Sequence, residues 1–224
     1  MNSLEITCFW KLDGPLHAGT GLSRIGYADR LIRRNPDGQA FIPGDAVKGT
    51  VRMSAERLLR WLLPDAEAEK EDKSAPTHPV LRRLFQPDEY GVFYRFAPAL
   101  YRTVKPVDPV RISSTALDRV SRTALDDTLR TIEASSRQDE FEVHIAGENG
   151  DWSTPQSRDS LDGQFLVAAL AAADSVGGKR GAGYGRLVFS GYSARGMAWP
   201  DLGNPETIRA LQEHLRIEAP RETS

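Results

Sequence analysis

Apolar and polar positions alternate from Leu4 to Asp13, with Leu4, Ile6, Cys8, Trp10 and Leu12 facing one way. A period of two over that length predicts a half-buried strand. Small residues follow at Gly14–Gly21, then an ambiguous stretch with a possible strand at Arg30–Arg34. Asn35-Pro36-Asp37-Gly38 reads as a turn. The period then changes. Val47, Val51, Ala55, Leu58, Leu59 and Leu62 form the stripe of a helix with Asp45 as its N-cap and Pro64 as its end. Asp65–Pro79 is acidic, then Pro-containing, and reads as an exposed excursion. Short elements follow: a helix at Val80–Phe85, a strand at Gly91–Ala97 and an extended run at Arg102–Val110. Arg111–Ile132 reads as irregular and polar, and Phe141–Ile145 as a strand. Helical spacing returns at Ser160–Ala173, with Gly177-Gly178 as its stop, before a strand at Leu187–Tyr192. Strand, helix, strands, helix, strand predicts an α+β sandwich.

Between the last helix and strand lies Gly177-Gly178-Lys179-Arg180-Gly181-Ala182-Gly183-Tyr184-Gly185-Arg186. Five glycines in nine residues, interleaved with cations and no acid, suit a cradle for phosphates. The order helix, loop, strand is the reverse of a dinucleotide fingerprint, and no P-loop motif occurs, so no nucleotide cofactor is expected. Lys48 and Arg52 share another basic position, one face of the first two turns of the first helix.

The charge balance refines this picture. The 224-residue chain carries a net charge of −2, which alone argues against a nucleic-acid partner. From Arg24 to Arg60, however, eight cations face four acids, and Val176–Arg195 holds four cations and no acid. Local basic surfaces on a near-neutral body suit a polyanion binder. One cysteine and four scattered histidines offer no zinc-site spacing. Neither a secretion signal nor a membrane-spanning run is evident, and a cytoplasmic protein with no membrane partner is expected.

Several motifs in register carry a more specific message. Leu16-His17-Ala18-Gly19-Thr20-Gly21 follows the first strand, and Ile42-Pro43-Gly44-Asp45-Ala46-Val47-Lys48-Gly49-Thr50-Val51-Arg52 opens the first helix. Leu84-Phe85, Asp118-Arg119, Glu133 and Phe141 punctuate the middle, and the glycine loop comes last. In this order they resemble the RAMP superfamily of CRISPR-associated proteins over about residues 3–195, and within it the repeated backbone subunit of type III effector complexes. Two positions depart from the family pattern: Ala182 stands where an arginine usually precedes the Gly-Tyr-Gly-like segment, and Asp45 where serine is common.

The resemblance implies a modified ferredoxin-like (RRM-like) α+β core with a thumb-like insertion, in a single domain spanning 1–224. Its core would comprise approximately 3–63, 80–102 and 141–195, with an acidic insertion at 64–79, a thumb at 103–140 and a C-terminal tail at 196–224. It also implies copies stacked as a filament on a CRISPR guide RNA, a complementary target RNA, and other type III effector subunits as partners. The implied RNA-binding residues are His17, Gly19, Gly21, Arg24, Lys48, Arg52, Arg111, Arg119, Arg122, Gly178, Lys179, Arg180, Gly181, Gly183 and Tyr184. In target-cutting members an aspartate lies in an Ile-Gly-x-x-Asp context after the first strand; here Ile25-Gly26-Tyr27-Ala28-Asp29 matches it. Asp29 is thus the implied catalytic residue and ligand of a divalent cation, Mg²⁺ or Mn²⁺, in a metal-dependent endoribonuclease. The alternatives are a non-cleaving RNA-binding scaffold and a guide-processing endoribonuclease, for which His17 would be the candidate base.

Overall fold

The computed structural model describes residues 3–63, 78–86, 92–102, 109–135, 140–154, 157–196 and 204–217. Its first strand, β1 (Leu4–Leu12), buries all five apolar residues of the alternating pattern. The chain then makes a long excursion and enters α1 (Gly44–Leu62) and α2 (Pro79–Phe85). Two short strands follow, β2 (Phe93–Phe96) and β3 (Leu100–Tyr101). A separate two-stranded ribbon is formed by β4 (Val110–Ser114) and β5 (Arg130–Ala134). The chain returns to the main sheet with β6 (Glu140–Glu148), crosses it with α3 (Arg158–Ala171), re-enters with β7 (Leu187–Arg195) and ends in α4 (Pro205–Ile217).

The sheet order is β2-β6-β1-β7, with β3 on the same edge of β6 as β2, and every pairing is antiparallel. Two βαβ crossovers interleave. β1-α1-β2 passes over β6, and β6-α3-β7 passes over β1. This is the split βαβ arrangement of a ferredoxin-like fold. One face of the sheet is covered by helices. Trp10, Phe141, Val143 and Ile145 meet Val47, Val51 and Ala55 of α1 and Phe165, Leu166 and Ala169 of α3 in a single core. The Trp10 indole N–H donates to the Leu170 carbonyl at 3.0 Å, which fixes the end of α3 on β1. Ser157 caps α3, accepting the Ser160 N–H.

Four sequence expectations need correction. Helix α1 begins two residues early, with Pro43 at the cap position and no side-chain cap; Asp45 lies inside the first turn. The stretch Arg111–Ile132 is an ordered β-ribbon and turn, since β4 and β5 pair in continuous register from Val110↔Ala134 to Ser114↔Arg130. β4 is exposed along most of its length and β5 buries Ile132, Glu133 and Ala134 in succession, so neither shows the apolar alternation that marks a half-buried strand. The tail from 196 contains α4, which buries Leu211, His214 and Leu215 against the core. Arg30–Arg34 forms isolated bridges in place of a strand. The acidic excursion over 64–77 lies outside the described residues, as do the thumb-expectation segments 103–108 and 136–139.

The other face of the sheet is open. It carries Phe9, Phe93 and Leu100, but also Glu5, Glu140, Glu142, His144 and Glu148. Two of its cations are engaged: Arg95 with Glu148 at 3.0 Å and Arg102 with Glu140 at 2.7 Å. The Arg102 guanidinium also lies 4.7 Å from the centre of the Phe9 ring. RNA-recognition motifs stack bases on aromatics of this face. Here the acids and the arginine cover disfavour that use, and the site must be sought elsewhere.

Candidate nucleic-acid interface

The excursion after β1 is built as a hairpin. Thr20 N–H donates to the Leu31 carbonyl, Leu31 N–H to Leu22 and Arg33 N–H to Ala18, all within 3.0 Å. Its tip closes between Arg24 and Ala28, with Gly26 at φ +72°, a conformation glycine adopts without strain. Leu16 exchanges two backbone hydrogen bonds with Ser135 at the end of β5. The returning arm then lies beside β5: Asp29 N–H donates to the Thr131 carbonyl at 2.8 Å, and Glu133 N–H to the Arg30 carbonyl at 2.9 Å. The hairpin is thereby stitched to the root of the ribbon, and Asp29 is carried there with it.

At that junction lies an open cleft of about 930 Å³, lined by Ser23, Arg24, Gly26, Tyr27, Asp29, Arg111, Ser113 and Thr131. One Asp29 oxygen, Oδ2, accepts the Thr131 N–H at 2.6 Å. The Arg24 and Arg111 guanidinium carbons lie 5.4 and 5.3 Å from the centre of the Tyr27 ring. Beneath them sits Glu133, whose residue is only 3 % exposed. It accepts the Ile32 N–H at 3.0 Å and an Arg34 N–H at 3.2 Å. Hydrogen-bonding and charge interaction with Glu133 raise the Tyr27 pKa above the ordinary phenol value.

The glycine loop sits on the other side of the hairpin. Gly178 N–H donates to the His17 carbonyl and Gly185 N–H to the Pro15 carbonyl. Gly185 has φ +64°, and a Cβ there would collide with the Val176 carbonyl oxygen. The expectation of a backbone N–H cradle is therefore corrected in part. The N–H groups of Gly178, Ala182, Gly183 and Gly185 are spent on protein carbonyls, so glycine serves here to let the loop lie flat on Pro15–His17. What the loop presents outward is side chains. Lys179 lines a groove of about 240 Å³ with Thr115, Thr128 and Arg130 of the ribbon, and Arg180 reaches the Met53 sulfur on α1 at 3.3 Å. A further hollow of about 300 Å³ at the start of α1 is lined by Gly19, Arg33, Pro43, Asp45 and Gly177.

The structure thus brings Arg24, Asp29, Arg111 and Lys179 to the two sides of one ribbon root. Gly19 joins them through the hollow at α1, and Gly21, Gly181 and Gly183 are exposed on the same loops. Other sequence-predicted residues fall elsewhere. His17 is 3 % exposed, with Nδ1 2.7 Å from the Glu133 carbonyl oxygen. A buried ring cannot touch RNA or serve as its base, so His17 props the hairpin and the glycine loop instead. Arg52 is paired with Glu56 at 2.9 Å on α1. Lys48 and Tyr184 are half-buried, while Arg119 and Arg122 lie on the turn that ends the ribbon. Sequence reasoning passed over Tyr27, Arg130 and Glu133 as site residues, because their roles depend on pairings between distant segments.

The donor set bears on the expected cation. Among the described residues no three His, Cys, Asp or Glu side chains gather to hold a metal. Asp29 is the sole carboxylate lining the cleft, and one of its oxygens is engaged. That fits an ion carried largely by substrate phosphate and water with a single protein carboxylate, as Mg²⁺ tolerates, and not a protein-only cage.

With the fold and cleft in place, relatives can be compared. The RAMP superfamily matches residues 11–188, and the chain belongs to that family. A chain of a type III-B Cmr-beta complex, solved by cryo-EM in the apo state, has a similar fold, with a TM-score of 0.55 at 11% identity. The similarity covers 83% of this chain and 96% of that one. No curated protein matches the sequence. The α+β architecture is thus shared with a chain of that complex, and no described helix is long and apolar enough to cross a membrane.

Proposed function

We propose that this chain is an RNA-binding subunit of a type III CRISPR effector complex, stacked in copies on a guide RNA, and that it cuts complementary target RNA at Asp29. The observation that carries the reading is the cleft at the ribbon root, where one carboxylate, Asp29, shares the lining with Arg24 and Arg111 on a platform stitched to the β-ribbon.

RNA contains its own nucleophile, so a site that holds the 2′-OH in line with the adjacent phosphate needs little further chemistry. The ribbon projects from the core and supplies a lever that separates a nucleotide from its neighbours. Arg24 and Arg111 bind the non-bridging phosphate oxygens and offset the charge that builds on them. The free oxygen of Asp29 orients the reacting 2′-OH, while its partner oxygen stays on Thr131. A divalent ion bound with the RNA would be held on the protein side by Asp29 and would neutralise the leaving oxygen.

One observation favours a second reading, the non-cleaving scaffold. The hydrogen bond from Thr131 N–H to Asp29 gives that carboxylate a structural task in holding hairpin to ribbon. Asp29→Asn separates the two, since the amide oxygen still accepts from Thr131. The complex, assembled with guide, is given labelled target RNA and Mg²⁺. The wild type cuts at regular intervals, leaving 2′,3′-cyclic phosphate and 5′-OH ends. Asp29→Asn binds target equally and does not cut, and a 2′-deoxy target at the cut position binds and resists. A wild-type complex that binds target and never cuts selects the scaffold.

A further inference from the structure

Two guanidinium groups lie over the Tyr27 ring, with the Arg24 and Arg111 carbons 5.4 and 5.3 Å from its centre, and its hydroxyl interacts with the buried Glu133. The two arginines come from different segments, the hairpin tip and β4. Like charges placed this close repel, and each long side chain has several rotamers to lose. Something must hold them together before a ligand arrives. An aromatic face does so, because the ring quadrupole attracts a cation and the planar guanidinium stacks on it.

The ring in turn is held from below. Glu133 receives Arg34 and the Ile32 N–H, its own backbone N–H donates to Arg30, and its carboxyl interacts with the Tyr27 hydroxyl. Its carbonyl receives the buried His17 ring, so five residues of the hairpin region converge on one β5 position. Buried and held on several sides, Glu133 positions the tyrosine. The tyrosine fixes the arginines.

We infer that Arg24, Tyr27 and Arg111 form a preorganised clamp for one phosphodiester of the target RNA strand, the one next to Asp29, with Tyr27 as a positioning residue. The inference rests on the reading of this cleft as an RNA site and adds which phosphate it takes and what holds the cations. Two guanidiniums fixed in advance lose little freedom on binding, so the clamp discriminates a charged linkage from a neutral one. It recognises backbone and not base, which suits a subunit that must accept any target sequence.

The test places one neutral methylphosphonate linkage, with a 2′-deoxy sugar that prevents cutting, at each position of the target in turn. Binding to the guide-loaded complex is then measured. In the wild type, affinity falls by roughly five- to tenfold at linkages that recur with the subunit spacing. In Tyr27→Leu that penalty disappears, because the clamp no longer distinguishes charged from neutral. Tyr27→Phe, which keeps the ring, retains it to within about twofold. Arg111→Gln also loses the penalty and serves if the leucine variant fails to assemble.

A penalty that persists in Tyr27→Leu or Arg111→Gln overturns the clamp. So does a Tyr27→Phe variant that behaves like Tyr27→Leu, since the ring is then not what holds the arginines. A penalty confined to guide linkages overturns the assignment to target. If the penalty appears as expected but natural target is never cut, the clamp stands and the cleavage reading falls. If no target linkage matters while Asp29-dependent cutting proceeds, the clamp falls alone.

Discussion

Two clusters in this protein combine arginine and aspartate with a ring, and they do opposite things. Behind the sheet, Arg83 of α2 grips Asp162 of α3 through two hydrogen bonds of 2.6 and 2.9 Å, and His214 of α4 lies 2.8 Å from the same carboxylate. All three residues are buried, at 4, 2 and 9 % exposure. At the ribbon root, Arg24 and Arg111 stack on a ring, and Asp29 takes its hydrogen bond from backbone. In the first cluster the charges satisfy one another, so they can dock three helices together but have little left for a ligand. In the second the arginines lie over an aromatic ring and remain exposed. Residue type does not decide between these roles; what decides is whether the opposite charge is supplied by the same chain.

The largest effect expected from this contrast is on stability at the buried cluster. Asp162→Ala leaves Arg83 buried without its partner, which costs roughly 3–5 kcal/mol. For a chain of this size that lowers Tm by about 10 °C, measurable by calorimetry, and α4 should become protease-sensitive first. Glu133→Ala comes next, because it strands the Ile32 N–H and frees Tyr27. A cost of about 1.5–3 kcal/mol is expected, together with weaker RNA binding. A variant that lost stability but kept full affinity would separate Glu133 from the clamp.

Asp29→Asn should leave Tm within about 1 °C of wild type while target cutting is lost. A large fall in Tm would move Asp29 into the structural class alongside Asp162. The smallest effect concerns Tyr27. Its folded-state pKa is raised by Glu133, so this group adds stability that is complete below pH ~10 and fades as pH rises above that. In a spectroscopic titration, the tyrosinate signal lost on Tyr27→Phe should come from the late-ionising fraction. An early-ionising one would show that the Glu133 bond is absent in solution.

How much of this was readable beforehand depended on whether the signal was local. The alternation at Leu4–Leu12 and the stripe from Val47 to Leu62 directly record which side of each element meets the core, because burial imposes the period of the backbone itself. The strand–helix order and the family motifs then fixed the α+β class. The ribbon escaped because β4 is exposed along most of its length and β5 buries three consecutive residues, one of them Glu133, so neither strand carries a period of two. The α1 cap was missed because Pro43 offers no side-chain acceptor to announce it.

The site divides in the same way. Sequence alone marked Asp29, Arg24, Arg111 and the glycine loop as candidates, from motif and charge. It could not show that His17 is buried, that the N–H groups of Gly178 and Gly185 are spent on His17 and Pro15, or that Arg52 is paired on its own helix. Nor could it join Tyr27 to Glu133 and Arg111, residues separated along the chain by the whole of α1 and the first sheet edge. Periodicity and motif are properties of neighbours in the chain, and these a sequence carries. Whether a charge is spent or available is a property of neighbours in space, and only the folded chain decides it.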